Sequence, residues 1–137
     1  MLPQIGEKKS DSKIFREGKI IMSYYDIQKL DDPADKTTLE KKHVPHIVAP
    51  DTVEAGELFE VTVKMGNEID HPMEEGHFIQ YLELYADYYQ IARVDFTPET
   101  QACATLMIKL EESCTLRAFE FCNLHGQWEA AKEITVE

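Results

Sequence analysis

Leu58-Phe59-Glu60-Val61-Thr62-Val63-Lys64-Met65 is the stretch that decides the fold. β-Branched and aromatic residues alternate there with polar ones, the two-residue period of a strand with one dry and one wet face. Phe78–Tyr85, Tyr89–Phe96, Ala102–Leu110 and Thr115–Phe121 repeat the signal, and Glu129–Val136 offers a last strand. Phe78, Tyr81 and Leu84 are only partly in phase. Short turn signals separate the runs: Glu54-Ala55-Gly56, Ala86-Asp87, Thr97-Pro98-Glu99 and Glu111-Glu112-Ser113. Strands so spaced predict an all-β antiparallel sandwich of about seven strands.

The sandwich is expected over residues 41–137, and residues 1–40 differ from it in composition. Those forty residues hold seven Lys/Arg and eight Asp/Glu, so most of the formal charge of −12 falls after them. Apolar clusters at Ile20-Ile21-Met22 and Tyr24-Tyr25 lie between charged runs, and Asp31-Asp32-Pro33 breaks any element. A partly ordered arm is expected there, with a short helix over 34–42 leading into His43.

The 137 residues suffice for one domain with its own core. No run approaches the roughly 18 apolar residues of a membrane span, and the N-terminus shows no signal-peptide pattern. A cytoplasmic location is therefore expected. The charge of −12 argues against nucleic acid or an anionic membrane surface as partner. Three cysteines without an export signal are better read as metal ligands or nucleophiles than as a disulfide framework.

Four of the five histidines and one cysteine fall where strands end. His43 precedes Val44-Pro45, His71 and His77 bracket the loop Pro72–Gly76, and Cys122-Asn123-Leu124-His125 follows a strand. Loops on a rigid scaffold are where ligands concentrate. Imidazole suits zinc, copper and iron, and one thiolate adds a strong anionic donor. A structural zinc site would use several cysteines in tetrahedral geometry. Four imidazoles and one thiolate exceed that number, and ferrous iron with one open position fits them better. An electron-transfer cupredoxin is the rival reading, since those sandwiches also carry Cys-x-x-His. They use two histidines and usually a methionine shortly after, and Gly126–Ala131 contains no methionine. A non-catalytic iron-sensing sandwich is the other alternative.

Lys42-His43-Val44-Pro45, Glu68-Ile69-Asp70-His71-Pro72, the step to His77 with Ile79 following, and Cys122-Asn123-Leu124-His125-Gly126-Gln127-Trp128-Glu129 together carry a resemblance. This pattern resembles the superoxide reductases, also called neelaredoxins and, in two-domain form, desulfoferrodoxins, over roughly residues 40–137. The resemblance implies an immunoglobulin-like sandwich that reduces superoxide to hydrogen peroxide at one mononuclear iron cycling between Fe2+ and Fe3+. His43, His71, His77 and His125 would be the equatorial ligands and Cys122 the axial thiolate. Lys42 would attract superoxide and help protonate the product, and Asn123 would offer its N–H to the sulfur. An external donor such as rubredoxin would return the electron, and a homo-oligomer is expected.

Three departures accompany the match. Lys41 stands where most members have a glutamate that can reach the oxidised iron, and Glu40 would point away if the segment were extended. Met73-Glu74-Glu75-Gly76 replaces the usual Asn-Thr-Thr loop, and Thr97–Gln101 replaces a long glycine-rich insertion. Residues 1–40 contain no cysteine, so a second, rubredoxin-like iron site is not expected. His46 reads as a surface or neighbouring histidine, Cys103 and Cys114 as small hydrophobes, and Trp128 as packing near the metal loop.

Overall fold

Val61, Val63 and Met65 point inward from the central strand of one sheet, while Glu60, Thr62 and Lys64 point away, as the alternation requires. This computed structural model describes residues 25–137 in full, and before them only the backbone of three strands. These are β1 (Lys9–Ser10), β2 (Lys13–Arg16) and β3 (Lys19–Met22), paired antiparallel in that order. The expected ordering of the arm before Tyr25 otherwise lies outside the described residues.

The elements that follow are α1 (Thr38–His43), β4 (Pro45–Val48), β5 (Thr52–Val53), β6 (Phe59–Met65) and β7 (Ile79–Ala86). After them come β8 (Tyr89–Asp95), β9 (Cys103–Ile108), β10 (Cys114–Cys122) and β11 (Gly126–Val136). One sheet has the order β5-β11-β10-β7-β8 and the other β4-β6-β9. All pairings are antiparallel except the two-residue contact of β5 with the end of β11. The predicted β-sandwich is therefore present.

Ile79, Leu82 and Leu84 of β7 and Leu116 and Ala118 of β10 meet the inward residues of β6, and Ile134 of β11 joins them. Each large apolar side chain among these contributes about 1.5–3 kcal/mol by leaving water. The imperfect phase of Phe78–Tyr85 has a local cause. Opposite β10, Phe121 pairs with Tyr81 but Cys122 pairs with Ile79, so Gln80 is an extra residue. This bulge re-aims the strand just where β10 ends in Cys122.

The alternation of Thr115–Phe121 conceals a reversal. Leu116, Ala118, Glu120 and Cys122 face the core, and Phe119 and Phe121 lie on the outer face. There Phe121 stacks on Tyr81 at 5.7 Å and Phe119 meets Tyr85 edge-on at 5.4 Å. Glu120 is thus wholly buried, and neither of its oxygens has a hydrogen-bond partner among the described residues. Burial raises its carboxyl well above the ordinary range.

Residues before 41 are tied to the sandwich. Gln28, 2% exposed, bonds the outer edge of β11 through Gln127 O and Glu129 N. Thr37 caps α1: its hydroxyl accepts from Glu40 N, and the Glu40 carboxylate accepts from Thr37 N at 2.7 Å. The other oxygen of Glu40 accepts from Asp31 N at 3.1 Å. Glu40 is therefore buried in a capping role on a helix, not aimed outward from an extended segment as its sequence position suggested.

Candidate metal centre

His43 ends α1, where the helix turns its ring inward. Its Nδ1 meets Leu39 O at 2.7 Å, one helical turn back. The carbonyl fixes Nδ1 as the protonated nitrogen, so Nε2 keeps its lone pair. Trp128 stacks on the same ring at 4.9 Å with an 18° tilt, and both residues are fully buried.

His71 is placed by a close crossing of backbones. Gly66, at φ +76°, follows the end of β6, and a Cβ there would lie 2.5 Å from His71 N and 2.6 Å from Ile69 O. It would also lie 3.1 Å from Lys42 O. Only glycine meets both demands, since other residues avoid that φ. His71 Nδ1 then bonds Pro72 O at 2.6 Å, which again leaves Nε2 bare.

His77 closes the loop from Pro72. Two backbone bonds of 3.0 Å between Glu74 and His77 pinch it, and Glu74 and Glu75 are exposed to solvent. The Nε2 of His77 is buried without a partner among the described residues. Cys122 and His125 sit on the tight turn between β10 and β11. The N–H groups of Leu124 and His125 bond the sulfur. Asn123, expected in that role, instead gives its N–H to Phe78 O at 3.3 Å, while its side chain bonds Phe78 N and Gly76 O. The reason is geometric: Asn123 continues the ladder with the neighbouring strand, and only the next two amides curl over the thiol. Gln28 Nε2 bonds His125 O at 2.6 Å and braces the turn from outside.

These side chains converge. Neighbouring imidazole centroids run His43–His71 4.6 Å, His71–His77 4.7 Å, His77–His125 5.2 Å and His125–His43 5.0 Å, every pair near edge-on. The diagonal His43–His77 is 6.4 Å. Four rings thus form a near-square. Donor atoms of His43, His77, Cys122 and His125 all lie within 4.8 Å of one another, with Cys122 Sγ 3.8 Å from His125 Nδ1. His71 Nε2 lies 3.1 Å from His43 Nε2.

This arrangement asks for a cation. Two bare Nε2 lone pairs face each other, and the buried Nε2 of His77 adds a third nitrogen with no protein partner among the described residues. Burial pushes His43 down to about 3 and His71 to about 4, and lowers His125, so the rings stay neutral and ready to coordinate. The positive charge of Lys42 adds to the lowering at His71 and His125, so its ammonium lies on their side. Burial raises the Cys122 thiol, which a bound metal would deprotonate. The set fits a metal that accepts four imidazoles and a thiolate. A tetrahedral zinc cage does not use a square of four rings, and a blue-copper site uses only two imidazoles.

Gly66, Gln28 and the amides of Leu124 and His125 were not foreseen from the sequence. The capping pair Thr37-x-x-Glu40 was there to be read, and it fixes where the helix starts. His46 is exposed on β4, and Cys103 and Cys114 are half-buried.

Fold and site together define a β-sandwich protein with an imidazole–thiolate metal centre. The family model described as desulfoferrodoxin matches residues 35–131, and the chain belongs to that family. A relative from Methanocaldococcus jannaschii, carrying the name superoxide reductase provisionally, is 47% identical over 105 residues, spanning 74% of this chain and 89% of that one. The superoxide reductase of Pyrococcus furiosus is 35% identical over 116 residues, spanning 71% and 90%. A solved single-substitution variant of the superoxide reductase (neelaredoxin) from Ignicoccus hospitalis superposes with a TM-score of 0.70 at 38% identity, covering 81% of this chain and 94% of the other.

Proposed function

We propose that this chain is a superoxide reductase holding one mononuclear iron through His43, His71, His77, His125 and Cys122. The near-square of four imidazoles beside a buried thiol is the observation that carries the reading. The chemistry supplied by the iron is a one-electron exchange between its Fe2+ and Fe3+ states. The overall reaction consumes one superoxide, one electron and two protons and yields one hydrogen peroxide. Neutral imidazoles hold the metal without repelling an anion. The buried sulfur, with two N–H donors from its own turn, is kept from solvent and oriented.

Lys42 supplies the local positive charge. A net charge of −12 repels superoxide from a distance, but salt screens that beyond about 8–10 Å. Inside that range the ammonium near His71 and His125 steers the anion and stands ready to pass a proton to the product. The electron comes from an external donor such as rubredoxin. No described helix is long and apolar enough to cross a membrane, and a cytoplasmic homo-oligomer is part of this reading. So is the assignment of all five donors to residues 41–137.

Metal analysis and rapid mixing with superoxide test the proposal. One iron per chain and fast superoxide consumption are expected, with Lys42→Gln slowing the second-order step on the order of tenfold at unchanged iron content. An iron-loaded protein that does not consume superoxide would leave a sensing role instead. Blue-copper absorption would leave the electron-transfer reading.

A further inference from the structure

A cavity of about 480 Å³ lies on the far side of the α1–β4 segment from the metal centre, between that segment and the edge of β11. Its volume is that of a small-molecule site. Its lining is out of keeping with the protein: five of the chain's 14 Lys/Arg meet there, against three of its 26 Asp/Glu. The five are Lys29, Lys36, Lys41, Arg117 and Lys132.

The three acids do not cancel this charge. Glu40 caps α1, Glu68 pairs with Lys36, and Glu129 stands 3.8 Å from Arg117, too far for a close ion pair. Arg117 Nε is buried with no hydrogen-bond partner among the described residues. The backbone adds a donor. Glu129 N and Thr135 N both bond outward from β11, to Gln28 and Asp51. By alternation Ala131, between them on the cavity wall, turns its N–H the same way. No described residue pairs with it. Leu30 and Ile47 complete the wall with apolar surface.

We infer that this cavity binds a small phosphate-bearing molecule. An arginine fork, a bare amide and converging lysines are the donors a phosphate group uses, and the apolar wall suits the organic body attached to it. Lys41 then has a role of its own here, on the side of α1 that faces away from the histidines. The cavity's chemistry is independent of the metal centre's.

Calorimetric titration of the full-length, iron-loaded protein with pyrophosphate at low salt tests it, with the visible spectrum recorded alongside. One saturable site per chain and an unchanged spectrum are expected. Lys41→Gln and Arg117→Gln should each weaken binding by about tenfold, while Lys109→Gln, outside the cavity, should not. If Arg117→Gln does not fold, Lys41→Gln carries the comparison. The inference is overturned by absence of saturation, by a spectral shift that puts the anion on the iron, or by equal loss in the Lys109 variant. Citrate binding as tightly as pyrophosphate would also overturn the phosphate assignment.

Discussion

Three glycine-to-alanine substitutions separate backbone conformation from crowding, and Gly66 is where the two combine. At Gly76 nothing lies within 4 Å of an added methyl and the φ is ordinary. Gly76→Ala should therefore be neutral or stabilise by about 0.4–1 kcal/mol through the unfolded chain. At Gly56, with φ +76°, the nearest atom is a flexible Glu111 oxygen at 3.5 Å. Gly56→Ala should cost about 1–2 kcal/mol, the strain of the left-handed region alone. Gly66 has the same φ but meets two backbone atoms at 2.5 and 2.6 Å, neither able to rotate aside. Crowding of that kind adds about 1–3 kcal/mol, so the total is about 2–5 kcal/mol. The loop bearing His71 must move to relieve it. Denaturant unfolding of the three metal-free variants measures the costs, and metal analysis measures the consequence. Gly66→Ala should be the least stable of the three and the only one to bind iron poorly, although it replaces no donor. A Gly66 variant as stable as the Gly56 variant and fully iron-loaded would refute the claim that this crossing of backbones positions the ligand.

Glu40→Ala removes the acceptor of two amides and one half of the capping box, and should destabilise the protein by about 2–4 kcal/mol in denaturant unfolding. The pH dependence of the metal-free protein follows from the depressed histidines. With folded values of about 3 for His43 and about 4 for His71, the unfolded chain binds more protons below its ordinary value of 6.5. Stability is therefore fully present above pH 6.5 and declines as pH falls toward 4, by at most about 1.4 kcal/mol per pH unit for each ring. A melting temperature constant over that window would contradict the burial of the two rings.

Much of the fold was legible because strand periodicity is a local property. Phe59–Met65 shows its inward residues without ambiguity. Thr115–Phe121 did not, since a strand with aromatics on one face and Glu120 on the other reads naturally with the faces exchanged. Nothing local tells that Phe119 and Phe121 find Tyr85 and Tyr81 outside. The donors were visible as residue types at strand ends, and the square they make required the tertiary fold. The groups that hold them were harder. Gly66 matters through a contact with Ile69 and His71, and Gln28 through one with His125 nearly a hundred residues away. Such dependence leaves no periodic trace.

The donors are scattered from residue 43 to residue 125, with the sulfur and one imidazole on the hairpin turn that comes last. A chain still emerging from the ribosome can present three histidines but no thiolate. Metal uptake must therefore wait until β10 and β11 have zipped against β7. The finished centre then clips together segments about eighty residues apart, a closure whose entropic gain grows only slowly with length. Assembly order is thus written into the spacing of the ligands, and an incomplete chain is left without the means to hold a redox-active ion in its final setting.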